Sequence, residues 1–597
     1  MAIFSIFSKS LFNRYLLLIG FIFLSGCSSQ MNVNQPLTAK TKIDSQQGVV
    51  VVRVINTSSY PLPFNYLTIA PKNLNESKKV KFERLVSLKT HTTDSNIFSS
   101  AIKAGSYSLS SISSFHQKGD YYYSRGTGAD IKFGTFEVEP GKITDLGTII
   151  YYPKPQDDKY VNTLTRLEDT QPVEVLNKFF PFYNYDKNQV LTWNEDELDE
   201  ERESVYVSIA QNPVTFNHKY AAPDGSVYFI GKLGVILKRS ASGEWDIDAV
   251  DSNVDLNTIK QNLAGDLIVA GNEGAVFLKK FDGEWQDVSL ATNSNIKQIE
   301  VNDNGRVELM SFQTKTAEIY RANLTDNTPN WRLMASYTSL SGWKDGAGNT
   351  QQISVLSKEE KKKAKNKRKI RQIFNVQTHH LNDKHVVSIT YGRNHDLAAF
   401  GDGVSKDYTF DPETWEIQAI EHSAQLTRTL QAGQAKVAIE QAGYWSWTGM
   451  PSIYTVDENG MRKNELSTAI KSCKAGYTLG KKLCFKGKNH EKIKKESFKF
   501  VSIPWFLNDL EALSIVSFRH YNFFTGPAKT EYKILKTTDG GNNWVKTELK
   551  LPNEYCMDIV AEVKDKILLS CDGVSGDFYE SADFGETWQH VRQHENF

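Results

Sequence analysis

Thr537-Thr538-Asp539-Gly540-Gly541-Asn542-Asn543-Trp544 and Ser581-Ala582-Asp583-Phe584-Gly585-Glu586-Thr587-Trp588 are one phrase, S/T-x-D-x-G-x-x-W, written twice. Each follows a strand-like run, Ile534-Leu535-Lys536 in the first case and Phe578-Tyr579-Glu580 in the second. The chemistry of the phrase is that of a turn. The hydroxyl and the carboxylate accept hydrogen bonds from backbone N–H groups, the glycine supplies a positive φ, and the tryptophan returns to pack between sheets. The two starts lie 44 residues apart, enough chain for one four-stranded sheet.

Looser relatives lie upstream. Gly234-Val235-Ile236-Leu237 leads to Gly243-Glu244-Trp245, and Gly274-Ala275-Val276-Phe277 leads to Gly283-Glu284-Trp285, with the tryptophans 40 residues apart. Trp331 and Trp415 end similar strand–turn–Trp phrases. The exact copies resemble the Asp-box, or BNR repeat, of sialidase-type β-propellers. That resemblance implies an all-β propeller over residues 205–597, of six to eight blades with seven the central expectation. A β-sandwich or β-helix with chance repeats is the alternative. In the family these residues sit at blade rims and are not catalytic. Thr537, Asp539, Gly541, Trp544, Ser581, Asp583, Gly585 and Trp588 are therefore expected to be structural.

The other end of the chain carries a different signal. Lys9 and Arg14 precede an apolar run, Tyr15 to Leu24, and then Leu24-Ser25-Gly26-Cys27. The run is about half the ~20 residues that a spanning helix needs. Small residues before the thiol suit a signal-peptidase site, and the phrase resembles the lipobox of bacterial lipoproteins. The resemblance implies that residues 1–26 are removed and that Cys27 carries diacylglycerol and a further acyl chain such as palmitate, enough for stable anchoring. A secretory signal with a chance cysteine is the alternative. Ser28, in place of an Asp, favours the outer membrane under the enterobacterial sorting rule.

Residues 27–47 are polar and aperiodic and read as a flexible tether. Residues 48–153 read as a small β-sandwich, with strands at Gly48 to Asn56, Phe64 to Ala70, Ser106 to Ser114, Ile131 to Val138 and Thr148 to Tyr152. The phrases Ala104-Gly105-Ser106-Tyr107, Glu139-Pro140-Gly141-Lys142 and Leu146-Gly147-Thr148-Ile149 are similar to transthyretin-like or carboxypeptidase-regulatory-like sandwiches. Residues 154–204 read as a linker. Thr170-Gln171-Pro172 opens a short helix through about Phe180, and Trp193 to Ser204 is an acidic, solvated stretch.

The chain holds 70 Lys and Arg against 70 Asp and Glu. Loss of Lys9 and Arg14 leaves about −2, a balance that argues against nucleic acid as a partner. Besides Cys27 there are Cys473, Cys484, Cys556 and Cys571. An even count in an exported protein points to disulfides, and sequential pairing places each pair across a hairpin. Four buried free thiols are the alternative. Nine of the fourteen residues from Lys358 to Arg371 are Lys or Arg, among them Lys361, Lys362, Lys363, Lys365, Lys367, Arg368, Lys369 and Arg371. Outside the cytosol such a run meets anionic lipid or lipopolysaccharide phosphate, although a charge run is more often a solvated loop.

Nothing announces catalysis, a cofactor or a metal. The arginine-led phrase of sialidases is absent, and Arg202, Arg239, Arg306 and Arg321 show no triad spacing. Of His379 and His380, alternation along a strand allows at most one to join His385. Tyr121 to Tyr123, Trp445 with Trp447, and Tyr521 to Phe524 are aromatic groups for a sugar or peptide, or core residues. The expected function is a lipid-anchored envelope scaffold that binds a protein partner. A glycan-active enzyme or a glycan- or lipopolysaccharide-binding surface protein is the alternative.

Overall fold

The computed structural model describes residues 30–58, 64–72, 81–88, 95–118, 121–129, 133–156, 159–167, 173–186, 189–302, 305–313, 316–324, 329–338, 342–349, 372–381, 384–392, 404–423, 427–440, 452–457, 462–470, 475–478, 481–486, 489–492, 496–520, 529–552, 556, 558–563, 566–571, 576–583 and 585–592. It divides into two compact units. One comprises the residues up to Asn56 with Leu62–Ile150 and Leu164–Glu203, and the other Thr57–Pro61, Tyr151–Thr163 and Ser204–Phe597.

The first unit is built on two sheets. One runs β1 (Gln30–Asn34), β4 (Lys81–Val86), β3 (Tyr66–Pro71), β6 (Gly105–Lys118), β7 (Tyr121–Gly128), with β8 (Thr135–Val138) also on β6. The other runs β10 (Lys159–Leu167), β9 (Ile143–Gln156), β2 (Gln47–Asn56), β5 (Ser95–Lys103), with β11 (Val190–Leu191) on β9. The valine run of β2 has no polar alternation because both of its faces are covered. Val49 and Val51 pack with Val175, Leu176 and Phe180 at helix α1 (Glu174–Phe179). Val50, Val52 and Val54 point the other way and are equally buried.

Two sequence expectations are corrected here. The tether of 27–47 is not a tether over its described part. β1 pairs in parallel with β4, Asn32 and Asn34 donate their side-chain amides to the two oxygens of Glu83, and Leu37 is buried with its N–H donated to Ser99. The stretch looks aperiodic because the asparagines that alternate with Met31 and Val33 are answered by a buried carboxylate far away in the chain.

Nor is 154–204 a linker. It supplies β10, α1, β11 and the start of helix α2 (Asp199–Gln211), and 164–203 belongs to the first unit. Two residues of the acidic stretch are counter-charges, while its glutamates are exposed. Asp199 accepts from Arg166 at 2.7 Å, Asp196 accepts from Arg202 at 2.7 Å, and the Arg166 guanidinium lies over the buried Trp193 ring. Thr170 to Pro172 lie outside the described residues, and α1 begins after Val173, whose N–H donates to Asp145.

The second unit is a run of antiparallel sheets, each formed by consecutive strands. They span 216–249, 256–287, 295–345, 372–423, 427–465, 499–546 and 558–592, and small sheets within 469–497 lie between the fifth and sixth. Neighbouring sheets share core clusters: Ile230 with Val269, Ile268 with Leu309, Tyr337 with Tyr408, Val437 with Val516, and Ile515 with Leu569. The last sheet returns to the first, where Phe216, Phe229 and Leu237 share a cluster with Leu568 and Phe578. This is a seven-bladed β-propeller. Middle strands such as Val227–Gly231 are buried throughout because a blade has a neighbour on either face.

Ring closure uses side chains alone among the described residues. Blade 7 pairs only its own four strands, Asp558–Val563, Lys566–Ser570, Phe578–Ser581 and Gln589–Arg592, and blade 1 likewise. The Phe578 ring stands 4.7 Å from both Phe229 and Trp245. Arg239 pairs with Glu580, both nearly buried, Lys566 reaches the same carboxylate, and Lys219 pairs with Asp558. Inside blade 7 a disulfide joins Cys556 to Cys571, tying the start of the inner strand to the end of its hairpin partner. Cys473 lies outside the described residues, as does the side chain of Cys484.

Phe578→Ala should therefore lower the unfolding free energy by about 3–5 kcal/mol in guanidinium titration. Closure should also be acid-sensitive. Burial raises the pKa of Glu580, but hydrogen bonds from Lys566 and Arg239 outweigh it and hold the carboxyl below its ordinary value. Its contribution is complete above the unfolded value, about 4.3, and fades as the pH falls through the lower folded value. Glu580→Gln should flatten that acid limb of a stability–pH curve.

Candidate functional site

In each blade the inner strand begins at the rim that also carries the connection between the second and third strands. In blades 1 and 2 this rim is built by two copies of one device. Gly231-Lys232-Leu233-Gly234 and Gly271-Asn272-Glu273-Gly274 are single 3-10 turns whose third residues, Leu233 and Glu273, adopt φ near +60°. A Cβ on Gly231 would lie 2.4 Å from the Thr215 carbonyl, and one on Gly271 2.2 Å from that of Asp255, so only glycine admits the start of the inner strand of its own blade.

That close approach assembles a buried polar belt. Lys232 Nζ donates to Asp255 Oδ2 at 3.1 Å, with side chains 6% and 2% exposed. Asn272 donates its backbone N–H to the Asp255 carbonyl, and the Glu273 N–H donates to Asn295 Oδ1. Above the belt the second or third residue of the inner strand is bulged. The register shifts at Phe216/His218, Leu256/Thr258, Ile296/Gln298, Ile373/Asn375 and Ile559/Ala561, so five blades share the irregularity. A bulge re-aims its side chain. Asn217 donates to the Leu256 carbonyl and Asn257 to that of Ile296, each at 2.9–3.0 Å and each onto the next blade, while Lys297 donates to Asn257 Oδ1 at 2.7 Å. The result is a rigid, hydrogen-bonding rim with Asn217 and Lys297 exposed and Asn257 half-buried. Sequence reading passed over these residues, although Gly231 and Gly271, like Asn217 and Asn257, repeat at 40 residues.

The two Thr/Ser–Asp–Gly–Trp segments occupy the opposite rim, between the third and fourth strands of blades 6 and 7. Thr537 Oγ1 donates to Asp539 Oδ1 and accepts the Gly541 N–H, and the Asn543 N–H reaches the same carboxylate. Ser581, Asp583, Gly585 and Thr587 repeat the arrangement. Gly541 and Gly585 have φ of 83° and 88°. Trp544 is buried between blades 5 and 6, and Trp588 packs between blades 6 and 7. The first turn also braces the segment that follows blade 5, since the Gly541 carbonyl accepts the Ser467 N–H. These residues bond to one another within each turn, and their tryptophans pack between blades.

The arginines are committed elsewhere. Arg306 pairs with Glu413 and Arg321 with Glu308, as Arg239 does with Glu580 and Arg202 with Asp196, so no carboxylate-gripping cluster forms among them. His380 is the register partner of His385, whose buried ring lies 3.5 Å from Glu308 and against Trp415. Among the described residues no group of three or more His, Cys, Asp or Glu is placed to hold a metal ion. Cys27, Lys361 to Arg371, Trp445, Trp447 and Tyr521 to Phe524 lie outside the described residues, as do the side chains of Tyr121 to Tyr123.

No protein-family model and no curated protein matches the chain. Solved structures do. YCF48 from Cyanidioschyzon merolae is 11% identical with a TM-score of 0.34, over 60% of this chain and 93% of its own. The Dos1 propeller is 8% identical with a TM-score of 0.35, over 64% and 85%. The WD40 β-propeller domain of Doa1 is 11% identical with a TM-score of 0.27, over 57% and 95%. At this level of similarity the architecture rests on the sheets described above.

Lys232→Met should cost about 3–5 kcal/mol in chemical denaturation, because Asp255 would stay buried without its cation. At the other rim, hydrogen bonds from Thr587 and Ser581 hold the Asp583 carboxyl at about 2. Its contribution to stability is complete above the unfolded value of about 3.9 and is lost as the pH falls through that folded value. Thr587→Val should raise the Asp583 pKa in a carbon-13 carboxyl titration.

Proposed function

We propose that the chain is a lipid-anchored binding protein of the bacterial envelope, held by acyl chains on Cys27 and engaging a protein partner through the rim of the propeller where the inner strands begin. One observation carries the reading: long connections gather at that rim. Between blade strands, 393–403, 441–451 and 521–528 connect at that rim, 466–498 with its small sheets joins blades 5 and 6 there, and 346–371 leads to it from the fifth strand of blade 3, whereas the opposite rim of blades 4 to 7 is turned by the shorter 382–383, 411–416, 433–434, 457–461, 507–511, 538–544, 564–565 and 582–588. Loops on a rigid scaffold are where recognition is built. Trp445, Trp447, Tyr521 to Phe524 and Lys361 to Arg371 all belong to the long set by their position in the chain. The two turns with matching Thr/Ser–Asp–Gly hydrogen bonds are read as Asp-boxes of the BNR type, and their role is structural.

The basic segment favours one second reading. It runs up to Gln372, where the inner strand of blade 4 begins, so an anionic ligand such as lipopolysaccharide phosphate would be met beside the same rim. Replacing Lys361, Lys362, Lys363 and Lys365 with Glu should then abolish sedimentation with lipopolysaccharide micelles, and unchanged sedimentation removes that ligand.

For the main reading, a photo-crosslinking residue at Asn257 or Lys297 should capture an envelope protein in growing bacteria, and one at Ser242 on the opposite rim should not. Equal capture from both rims would overturn the assignment. Labelled palmitate should enter the wild-type protein and not Cys27→Ser, which should leave the membrane fraction.

A further inference from the structure

The outward face of the sheet containing β1 carries large apolar side chains exposed to solvent. Met31 and Val33 of β1 are 36% and 55% exposed, and Phe115 of β6 is 44% exposed. Register places them on one face. Met31 lies beside Phe82 and Val33 beside Arg84 on β4, Val86 lies opposite Tyr66 on β3, and Tyr66 lies opposite Ser113, two residues before Phe115. The Arg84 guanidinium stands 5.2 Å from the centre of the Tyr66 ring. The other face of the same edge is closed, with Asn32 and Asn34 on Glu83 and Leu85 buried beside them. Among the described residues of this unit, the one other large apolar side chain so exposed is Phe182.

The occupant follows from chain length. β1 begins at Gln30, so only Ser28 and Ser29 separate it from Cys27. Fully extended, three residue steps reach at most about 11 Å, little more than the depth of the headgroup layer on one side of a bilayer. An acylated Cys27 leaves β1 nowhere to go but the membrane surface. The side chains it presents there, aliphatic and aromatic groups with an arginine, are those that sit well at the boundary of hydrocarbon and headgroup. We propose that this sheet face lies on the bilayer that receives the acyl chains, with Met31, Val33 and Phe115 in the headgroup layer and Arg84 on lipid phosphate. The inference rests on the acylation of Cys27 and adds to it a fixed posture for the first unit.

The test uses the full-length acylated protein in vesicles of phosphatidylethanolamine and phosphatidylglycerol. An environment-sensitive fluorescent amino acid is placed at position 33, 115 or 182, and nitroxide-headgroup lipid is the quencher. Quenching should be severalfold stronger at 33 and 115 than at 182, and Met31→Asp with Val33→Asp should reduce it at 115. Mass spectrometry of the N-terminal peptide separates the two ways of failing. Acylated protein with equal quenching at all three positions overturns the membrane-facing posture alone, and a peptide without acyl chains overturns the anchoring with it. A probe at 33 shielded only after addition of envelope extract, and not by vesicles, would assign the face to a protein and also overturn the proposal.

Discussion

A propeller is a ring, and the last blade has to find the first. Here that joint is made by Phe578 entering between Phe229 and Trp245, flanked by the Arg239–Glu580 pair. No strand is lent from one end of the chain to the other among the described residues. The aromatic contacts supply the apolar burial. The ion pair contributes less net stability, since two charges must be desolvated to form it, but it sets which edge of blade 7 meets which edge of blade 1. The Cys556–Cys571 disulfide stiffens the blade that has to arrive last. Without that joint the first and last sheets would each present an apolar face to water.

The rims divide the remaining work. The rim of the Asp539 and Asp583 turns is local chemistry, in which hydroxyl, carboxylate and backbone N–H satisfy one another within a few residues. The rim of Lys232, Asp255 and Asn257 is chemistry between blades, with each group answered by the next blade along. Paired groups of this kind hold geometry well and leave few side chains to move when something binds.

That division explains what could be read from the sequence. The phrases at Thr537 and Ser581 disclose the architecture because every atom that makes the turn lies inside the phrase. The partners Lys232 and Asp255, or Gln298 and the backbone of Thr378, are joined only by blade packing, and no spacing rule exposes them. β1 was missed because Met31 and Val33 alternate with asparagines whose carboxylate partner stands some fifty residues away. The stretch from Leu164 to Glu203 was missed for a related reason. Its acidity resembles that of a solvated linker, and only the pairing of Asp199 with Arg166 and of Asp196 with Arg202 shows that part of it is structural.

A ring sealed by a butt joint differs in its history from one sealed by an interlaced strand. Interlacing commits both termini to one sheet, so adding or losing a blade would strand a lone β-strand without its mates. When every sheet is contiguous in the chain, a whole blade can be duplicated or deleted as a single genetic unit, and only the seam has to be refitted. The identical spacing of Asn217 with Asn257, and of Gly231 with Gly271, is what such a copying event would leave.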